Sequence, residues 1–273
     1  MPAFARLIEP EYLVEHLNTP NLLIVDLSKA QLHAEAHIAG AVHLPASHLL
    51  RGLPPAHGLL PDPSTLESIL SFLGLQDDTH VIAYDDEGGG WAGRFLWTLE
   101  LVGHKNYSYL NGGLVAWLAA NLPVETTLHL PQPSQYSMTL HTQHLAELDY
   151  VLHRLDHEDM VIWDARSPEE FDGTRQFAQR GGHIPGAINY EWTRAMDTSR
   201  HLRLRPLEEL RAELATLGIV PDKEIITHCQ THHRSGLTWL VGRLLDFPRL
   251  RAYAGSWGEW GNLRHTPITT SSD

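Results

Sequence analysis

The sequence predicts an α/β protein with two tandem domains of one kind, each a mainly parallel sheet flanked by helices. Short apolar runs rich in β-branched residues alternate with helical patterns, which is typical of parallel strands covered on both faces. The chain also repeats itself, because five elements recur in the same order at separations of 138 to 146 residues. We therefore expect one fold to occur twice within the 273 residues.

The first repeated element is an apolar run that ends in an aspartate. Residues 22–27 and residues 160–166 both show it, with Asp26 and Asp164 near the end of the predicted strand. A short polar side chain at a strand end bonds readily to nearby backbone groups. We expect both aspartates to brace the loops that follow them.

Two matching helices follow in the pattern. Residues 206–217 place leucines at spacings of three and four, which form one apolar stripe on a helix. Pro206 at the start and Gly218 just past the end are typical helix boundaries. Residues 63–73 repeat this pattern. The remaining repeats are residues 37–41 with 183–187, residues 81–85 with 225–229, and residues 111–117 with 254–260.

The two domains are expected to be separated by a short linker. Residues 123–137 contain three prolines and no periodic pattern, so we predict the linker there. The first domain is then residues 1–122 and the second is residues 138–273.

Composition sets limits on the function. A hydrophobic content of 42% and a charged content of 19% are ordinary for a globular protein. The formal net charge of −13 disfavours general nucleic-acid binding. The sequence shows no apolar run long enough for a membrane helix, and we expect no signal peptide because the first residues lack a long apolar core. A single cysteine excludes an internal disulfide, so we expect a cytoplasmic protein, and its size suits a monomer.

That cysteine, Cys229, stands between a predicted strand and a predicted helix at residues 237–245. A strand, a tight loop and a helix N-terminus form a cradle of backbone amides that favours an anion. A thiol placed there is favoured as the thiolate, its reactive form. The alternative is an inert cysteine in apolar surroundings, which Arg234 and the two adjacent histidines disfavour.

No metal or organic cofactor is predicted. His153 and His157 lie one helical turn apart, but no third ligand of obvious spacing accompanies them. The glycines at residues 88–90 fit neither a dinucleotide fingerprint nor a P-loop.

These motifs together resemble those of the tandem-domain rhodaneses, the thiosulfate sulfurtransferases. Asp-Ala-Arg at residues 164–166, His-Ile-Pro-Gly-Ala at residues 183–187 and Cys-x-x-x-x-Arg from Cys229 to Arg234 occur in the order of that family. The loop Cys-Gln-Thr-His-His-Arg is similar to that of a bacterial subgroup. The resemblance implies a catalytic second domain and a non-catalytic first domain.

The first domain fits that implication because Asp85 stands where the repeat places Cys229. The loop after it, residues 86–90, is acidic and rich in glycine. We expect that this loop does not hold an anion in the way that the second loop does.

The resemblance also implies a reaction. Cys229 is expected to take a sulfane sulfur from thiosulfate or a related donor as a persulfide and pass it to cyanide or a thiol. Arg175 and Arg180 precede the element in which family members place a substrate-binding arginine, and Trp192 is either a pocket wall or a core aromatic. The expected substrate-binding residues are Gln230, Thr231, His232, His233, Arg234, Ser235, Arg180, Arg175 and Trp192.

Backbone amides from Gln230 to Ser235 are expected to surround the sulfur. Arg234 is expected either to fold under the loop and bind its carbonyl groups or to face the oxygens of the donor.

Two other functions remain open. A cysteine phosphatase needs five residues between cysteine and arginine to enclose a phosphate, whereas this loop has four, which disfavours it. A persulfide carrier that delivers sulfur to a protein partner in iron–sulfur or cofactor assembly would use the same residues. The donor also stays open, because the loop is neither strongly basic nor of the small Gly-Ser-Gly type.

Overall fold

The computed structural model describes residues 4–270 and confirms two α/β folds with parallel sheets. The chain forms two compact units, and each unit contains a segment from the other half of the sequence. The first unit comprises the chain up to Leu49, Pro61–His141 and Met196–Leu204. The second unit comprises Leu50–Leu60, Thr142–Ala195 and the chain from Arg205 onward.

The first unit contains a five-stranded parallel sheet in the order β1-β5-β4-β2-β3. Its strands are β1 (Leu7–Ile8), β2 (Leu22–Asp26), β3 (Val42–His43), β4 (His80–Tyr84) and β5 (Tyr107–Leu110). Its helices are α1 (Pro10–Leu13), α2 (Ala30–Glu35), α3 (Pro63–Phe72), α4 (Gly90–Leu101) and α5 (Gly113–Ala119).

The second unit repeats this topology in the order β6-β12-β11-β7-β8, again with parallel neighbours. Its strands are β6 (Leu145–Ala146), β7 (Met160–Asp164), β8 (Ile188–Asn189), β11 (Glu224–His228) and β12 (Leu250–Tyr253). Its helices are α6 (Leu148–Arg154), α7 (Pro168–Phe171), α8 (Leu207–Thr216), α9 (Arg234–Leu244) and α10 (Ser256–Trp260).

The helix boundaries follow local capping chemistry. Asp62 caps α3, since its Oδ1 accepts a hydrogen bond from the Thr65 amide at 3.0 Å. This confirms the helix predicted from residue 63. Pro206 is the N-cap of α8 rather than its first helical residue. Gly218 follows the end of that helix with φ 81°, a backbone conformation that residues other than glycine rarely adopt.

The duplication extends to single hydrogen bonds in the two cores. Trp117 and Trp260 are both fully buried. The indole Nε1 of Trp117 donates to the carbonyl of Pro123 at 2.9 Å, and that of Trp260 donates to the carbonyl of Pro267 at 2.7 Å. Equivalent tryptophans therefore make equivalent hydrogen bonds to the segment that follows the last helix of each fold.

The segment that the first unit takes from the second half is an antiparallel hairpin of β9 (Met196–Asp197) and β10 (Arg203–Leu204). Arg203 donates to Glu9 and to Glu11, at 2.6 Å in each case. The Leu204 amide donates to Asn111 Oδ1 at 2.7 Å. The hairpin is thus bound to the unit by charged and neutral hydrogen bonds.

The second unit takes residues 50–60 from the first half. Gly58 of this segment lies close to the loop that follows β11. A Cβ atom at Gly58 would lie 2.4 Å from the carbonyl oxygen of Thr231 and 2.5 Å from that of Ala254. Because both atoms belong to the backbone, only glycine fits there. The sequence repeat and the compact units are therefore different divisions of the chain.

Within residues 4–270, no helix is both long enough and apolar enough to cross a membrane.

Candidate active site

The loop that holds Cys229 joins the end of β11 to the start of α9. β11 lies between β7 and β12 in the sheet, so the loop leaves a central strand. His232 has φ 54°, in the left-handed region, and this lets the chain turn sharply before Arg234 begins the helix. The predicted order of strand, tight loop and helix is confirmed.

Cys229 is fully buried, but its surroundings are polar. Burial raises the pKa of the Cys229 thiol. The charge of Arg234, hydrogen bonds from the Ser235 hydroxyl and amide, and the charge of His233 outweigh burial and hold that pKa below its usual range. A thiol with a lowered pKa is a stronger candidate for nucleophilic attack than an apolar buried cysteine.

Ser256 at the start of α10 bonds to two amides of the loop. Its Oγ accepts from the Cys229 amide at 3.3 Å and from the His232 amide at 3.1 Å. The expected ring of amides from Gln230 to Ser235 is therefore wrong at His232, whose N–H is turned to a serine oxygen. The His232 ring Nδ1 lies 2.7 Å from Ser235 Oγ, so this imidazole is packed against the hydroxyl beside the thiol.

Arg234 is held by a carboxylate that the sequence analysis did not identify. Its Nη1 and Nη2 donate to the two oxygens of Glu170 at 2.5 and 2.9 Å. This bidentate ion pair takes the place of the expected bonds to loop carbonyls, and the alternative that Arg234 faces the oxygens of the donor stays a prediction. Burial raises the pKa of Glu170, but its bonds to Arg234 and the charge of Arg234 hold that pKa below its usual range. The pair fixes a positive charge beside Cys229.

A local signal marks Glu170 in the sequence. Ser167 and Glu170 form a capping box at the start of α7, where the serine oxygen accepts from the Glu170 amide. That Ser-x-x-Glu spacing predicts a helix start. It does not predict that the same carboxylate reaches Arg234, because this contact depends on the tertiary fold.

Asp164 braces the loop after β7, as expected. Its Oδ1 accepts from the Arg166 amide at 3.0 Å, and its Oδ2 lies 2.6 Å from Nη2 of Arg166. Its Oδ2 is also 3.4 Å from Nε2 of His228, whose Nδ1 lies 3.1 Å from the Cys229 carbonyl oxygen. A continuous polar contact therefore links Asp164 to the backbone of Cys229.

Three other predicted substrate-binding residues, Trp192, Gln230 and Thr231, each make a separate contact in the second unit. The Trp192 ring is 5.7 Å from the His233 ring, between centroids, so the fold brings these two together. The side-chain Nε2 of Gln230 donates to the Phe177 carbonyl at 3.1 Å. Thr231 presents its carbonyl oxygen towards Gly58.

The two predicted arginines of the 175–180 segment make contacts other than those expected. The Arg180 guanidinium donates to the backbone carbonyl of Trp260, the last residue of α10, at 3.0 Å, and to that of Thr266 in the following segment at 2.9 Å. Arg175 lies over the Phe177 ring at 4.8 Å. A substrate-binding role for Arg175 and Arg180 stays a prediction.

The corresponding loop of the first unit contains an anion of its own. Asp85 Oδ1 accepts from the amides of Glu87, Gly88 and Gly89 at 2.8–3.1 Å, and Oδ2 accepts from the Ala92 amide at 3.0 Å. The amides of this loop therefore bind the loop's own carboxylate, and the expectation that it does not hold an anion in the way the second loop does stays a prediction. Burial, and next the charge of Glu87, raise the pKa of Asp85 to about 6 against these amides.

Comparison with known proteins agrees with this geometry. A family model described as "Rhodanese-like domain" matches residues 9–120 and again residues 147–263. The chain belongs to the rhodanese-like family. The two matches place the Asp85 loop in one rhodanese-like domain and the Cys229 loop in the other.

Relatives in this family match along nearly the whole chain. A thiosulfate sulfurtransferase from Azotobacter vinelandii is 51% identical, and one from Pseudomonas aeruginosa is 48% identical, each over 96% of both chains. The crystal structure of SseA from Escherichia coli, a 3-mercaptopyruvate sulfotransferase, is similar with a TM-score of 0.82 and 28% identity, covering 93% of this chain and 99% of that one. The tandem rhodanese architecture expected from the motifs is confirmed.

Proposed function

We propose that this protein is a thiosulfate sulfurtransferase that moves a sulfane sulfur from thiosulfate, or a related donor, to cyanide or a thiol acceptor. The observation that carries the proposal is the thiol of Cys229, which is buried, has a lowered pKa and precedes the N-terminus of α9. The identity of 51% with a thiosulfate sulfurtransferase along nearly the whole chain supports the same reaction.

The reaction has two displacements at sulfur. The Cys229 thiolate attacks the outer sulfur of thiosulfate, a new S–S bond forms, and the bond to the inner sulfur breaks so that sulfite leaves with the electron pair. The acceptor then attacks the outer sulfur of the persulfide, and the Cys229 thiolate leaves. This is a ping-pong cycle in which the Cys229 thiolate is the nucleophile of the first step and the leaving group of the second, so both steps need a stable thiolate.

The residues around the thiol have distinct roles in this proposal. Arg234, Ser235 and His233 stabilise the thiolate, because each lowers the pKa of Cys229. Trp192 lies beside His233, with the two ring planes tilted by 58°, and is proposed to form a wall of the pocket. Gln230, Thr231 and His232 shape the loop, and Arg175 and Arg180 are proposed to attract the anionic donor.

The proposal also covers the substrates, the cellular location, the oligomeric state and the role of the first domain. The donor is a small anion such as thiosulfate, and the acceptor is cyanide or a thiol. A lone cysteine that must stay reduced favours the cytoplasm, and we propose that the protein acts as a monomer. The first domain is proposed to be non-catalytic, since Asp85 stands in place of a thiol.

The test is Cys229→Ala. We expect loss of thiosulfate–cyanide turnover with the fold unchanged by circular dichroism, because the side chain is small and the loop backbone remains. Intact-protein mass spectrometry of the wild type should show the gain of one sulfur after thiosulfate and its removal by cyanide. Cys229→Ser is the matched control, because it keeps a polar atom at the same place.

Two outcomes would decide against the proposal. Turnover by Cys229→Ala would mean that another group carries the sulfur. A persulfide that forms but is transferred only to a protein acceptor, never to cyanide or a small thiol, would favour the persulfide carrier instead.

A further inference from the structure

Three side chains of metal-binding types meet in the first unit, outside the site described above. They are His37, which is buried, and Glu125 and His129, which are partly exposed. One ligand atom of each lies within 4.8 Å of the other two. Glu125 Oε1 is 2.7 Å from His129 Nε2 and 4.0 Å from His37 Nε2.

The backbone fixes this arrangement. His37 and Glu125 form an isolated antiparallel bridge, with N–H to carbonyl bonds of 3.0 and 2.9 Å in the two directions. The Gly40 amide donates to Glu125 Oε1 at 2.6 Å and orients the carboxylate. The position of the carboxylate beside the imidazole is therefore set by the fold.

The hydrogen bonds of His37 point to a cation at its Nε2. Nδ1 lies 2.6 Å from the His33 carbonyl oxygen, which only accepts, so Nδ1 carries a hydrogen. A neutral imidazole then has a bare lone pair at Nε2. That lone pair faces the Thr127 carbonyl oxygen at 3.0 Å and the Glu125 carboxylate. Nitrogen and oxygen atoms that can serve as metal ligands therefore converge at this point of the fold.

The second unit provides an internal comparison. His183 occupies the position that matches His37, and its Nδ1 lies 2.8 Å from the Phe171 carbonyl oxygen. Its bridge partner is Thr269, which stands where Glu125 stands in the first unit. The histidine and its Nδ1 bond are thus common to both folds, whereas the carboxylate is a feature of the first unit.

We propose that His37 Nε2, the Glu125 carboxylate and His129 Nε2 bind a zinc ion, with water in the fourth position. Two imidazoles and one carboxylate suit Zn²⁺, and neighbouring ligand atoms around a tetrahedral zinc lie about 3.3 Å apart. The separations of 2.7 and 4.0 Å lie on either side of that value, so small side-chain rotations complete the site.

An Nδ1–H bond to a backbone carbonyl is the usual second contact of a zinc-bound histidine, and His37 already makes it. The ion would link residues 125–129, which follow α5, to His37, which lies just after the end of α2.

The experiment uses the untagged full-length chain with Cys229→Ser, so that the thiol does not compete for metal. After treatment with a chelator, Zn²⁺ is titrated by calorimetry and Co²⁺ by visible absorption. We expect a single ion per chain and the absorption of four-coordinate cobalt. His129→Ala and Glu125→Gln should each weaken binding by about tenfold or more, since even the loss of a second-shell partner costs 10–100-fold.

His153→Ala is the matched control. His153 is an exposed histidine whose Nδ1 lies 2.6 Å from the Asp149 carbonyl oxygen, and its loss should leave zinc affinity unchanged. Thiosulfate turnover of His129→Ala on the wild-type Cys229 background should also be unchanged, which shows that the variant is folded. Absence of saturable binding would mean that the three side chains do not hold a zinc ion. Equal zinc affinity in the wild type and both ligand variants would place the metal elsewhere, and either result would overturn the proposal.

Discussion

At the level of single residues, the thiol of Cys229 depends on a positive charge that is itself held in place. Arg234 is the largest favourable influence on the lowered pKa of Cys229, after burial has acted against it. Glu170 binds both terminal nitrogens of this guanidinium. A planar fork bound at two points has little freedom to turn away, so the charge stays near the sulfur.

Replacement of Arg234 should therefore change the pH dependence of the thiol. Arg234→Met removes the charge, which raises the pKa of Cys229 and moves the rise of the iodoacetamide alkylation rate to higher pH. Arg234→Lys keeps a charge but loses the two-point contact. Losing one charge-assisted hydrogen bond costs about 1.5–3 kcal/mol, which corresponds to roughly 10- to 150-fold in turnover.

Alkylation across a pH series, with circular dichroism as a check on folding, measures the first effect. An unchanged alkylation profile in Arg234→Met would show that the thiolate is stabilised by the loop alone.

Glu170→Gln tests whether this carboxylate positions Arg234. We expect reduced sulfur transfer at neutral pH and a shifted alkylation profile, because glutamine cannot offer two charged oxygens. The double variant with Arg234→Lys should lose less than the two single losses added together, since both act through one contact. Glu169→Gln is the matched control, as Glu169 is exposed and is the next residue along the chain. Additive losses would contradict a shared role.

At the level of elements, the two loops after β4 and β11 enclose different anions in the same fold. In the first unit the anion is the Asp85 carboxylate, which accepts hydrogen bonds from four backbone amides. In the second unit the group at that place is the Cys229 thiol. The first loop is therefore already filled by a side chain of its own.

Asp85→Ala should empty that loop. Leaving a buried donor without a partner costs about 1–3 kcal/mol, so we expect a clear loss in the free energy of unfolding. Sulfate should restore part of it, because an anion can accept from the vacated amides. Thermal melts with and without sulfate measure both effects. Asp85→Asn is the control, as it fills the space without the charge, and equal sulfate effects in Asp85→Ala and wild type would contradict the idea.

Sequence patterns predicted the elements that have strong local signals. The helix from Pro63 has a capping aspartate, a proline at its start and one apolar stripe, so it could be predicted without knowledge of distant contacts. The hairpin of β9 and β10 has strands of two residues each, which is too short for periodicity to appear. The contact between Glu170 and Arg234 and the meeting of His37 with Glu125 join residues far apart in the chain, and no local pattern reports such contacts.

At the level of the whole molecule, each compact unit is completed by residues from the other half of the sequence. The first unit uses the hairpin of Met196–Leu204, and the second uses Leu50–Leu60. These two segments lie on the opposite side of the predicted linker, residues 123–137, from most of the unit that each completes. The chain is therefore expected to behave as one cooperative protein in unfolding experiments.

Cutting the chain in the linker should expose this dependence. Residues 1–130 and residues 131–273, expressed separately, each lack a segment that the corresponding unit needs, so we expect poor solubility or a lowered melting temperature. Co-expression of the two pieces should restore folding and sulfur transfer, as the missing segments are then present. Gly58→Ala in the intact chain should give a milder form of the same defect in the second unit, because its Cβ would meet two backbone oxygens. A fully stable, active piece of residues 131–273 would contradict this prediction.

The placement of the hairpin has a consequence for synthesis on the ribosome. When translation reaches His141, the earlier segments of the first unit have been made, but Met196–Leu204 has not. At 5–20 residues per second, the missing residues arrive roughly 3–13 s later. During that interval Glu9 and Glu11 lack the arginine that binds them, and Asn111 Oδ1 lacks the Leu204 amide. The nascent first unit therefore stays incomplete until about half of the second half has been made, and it is completed before the second unit, which still needs the chain from Arg205 onward.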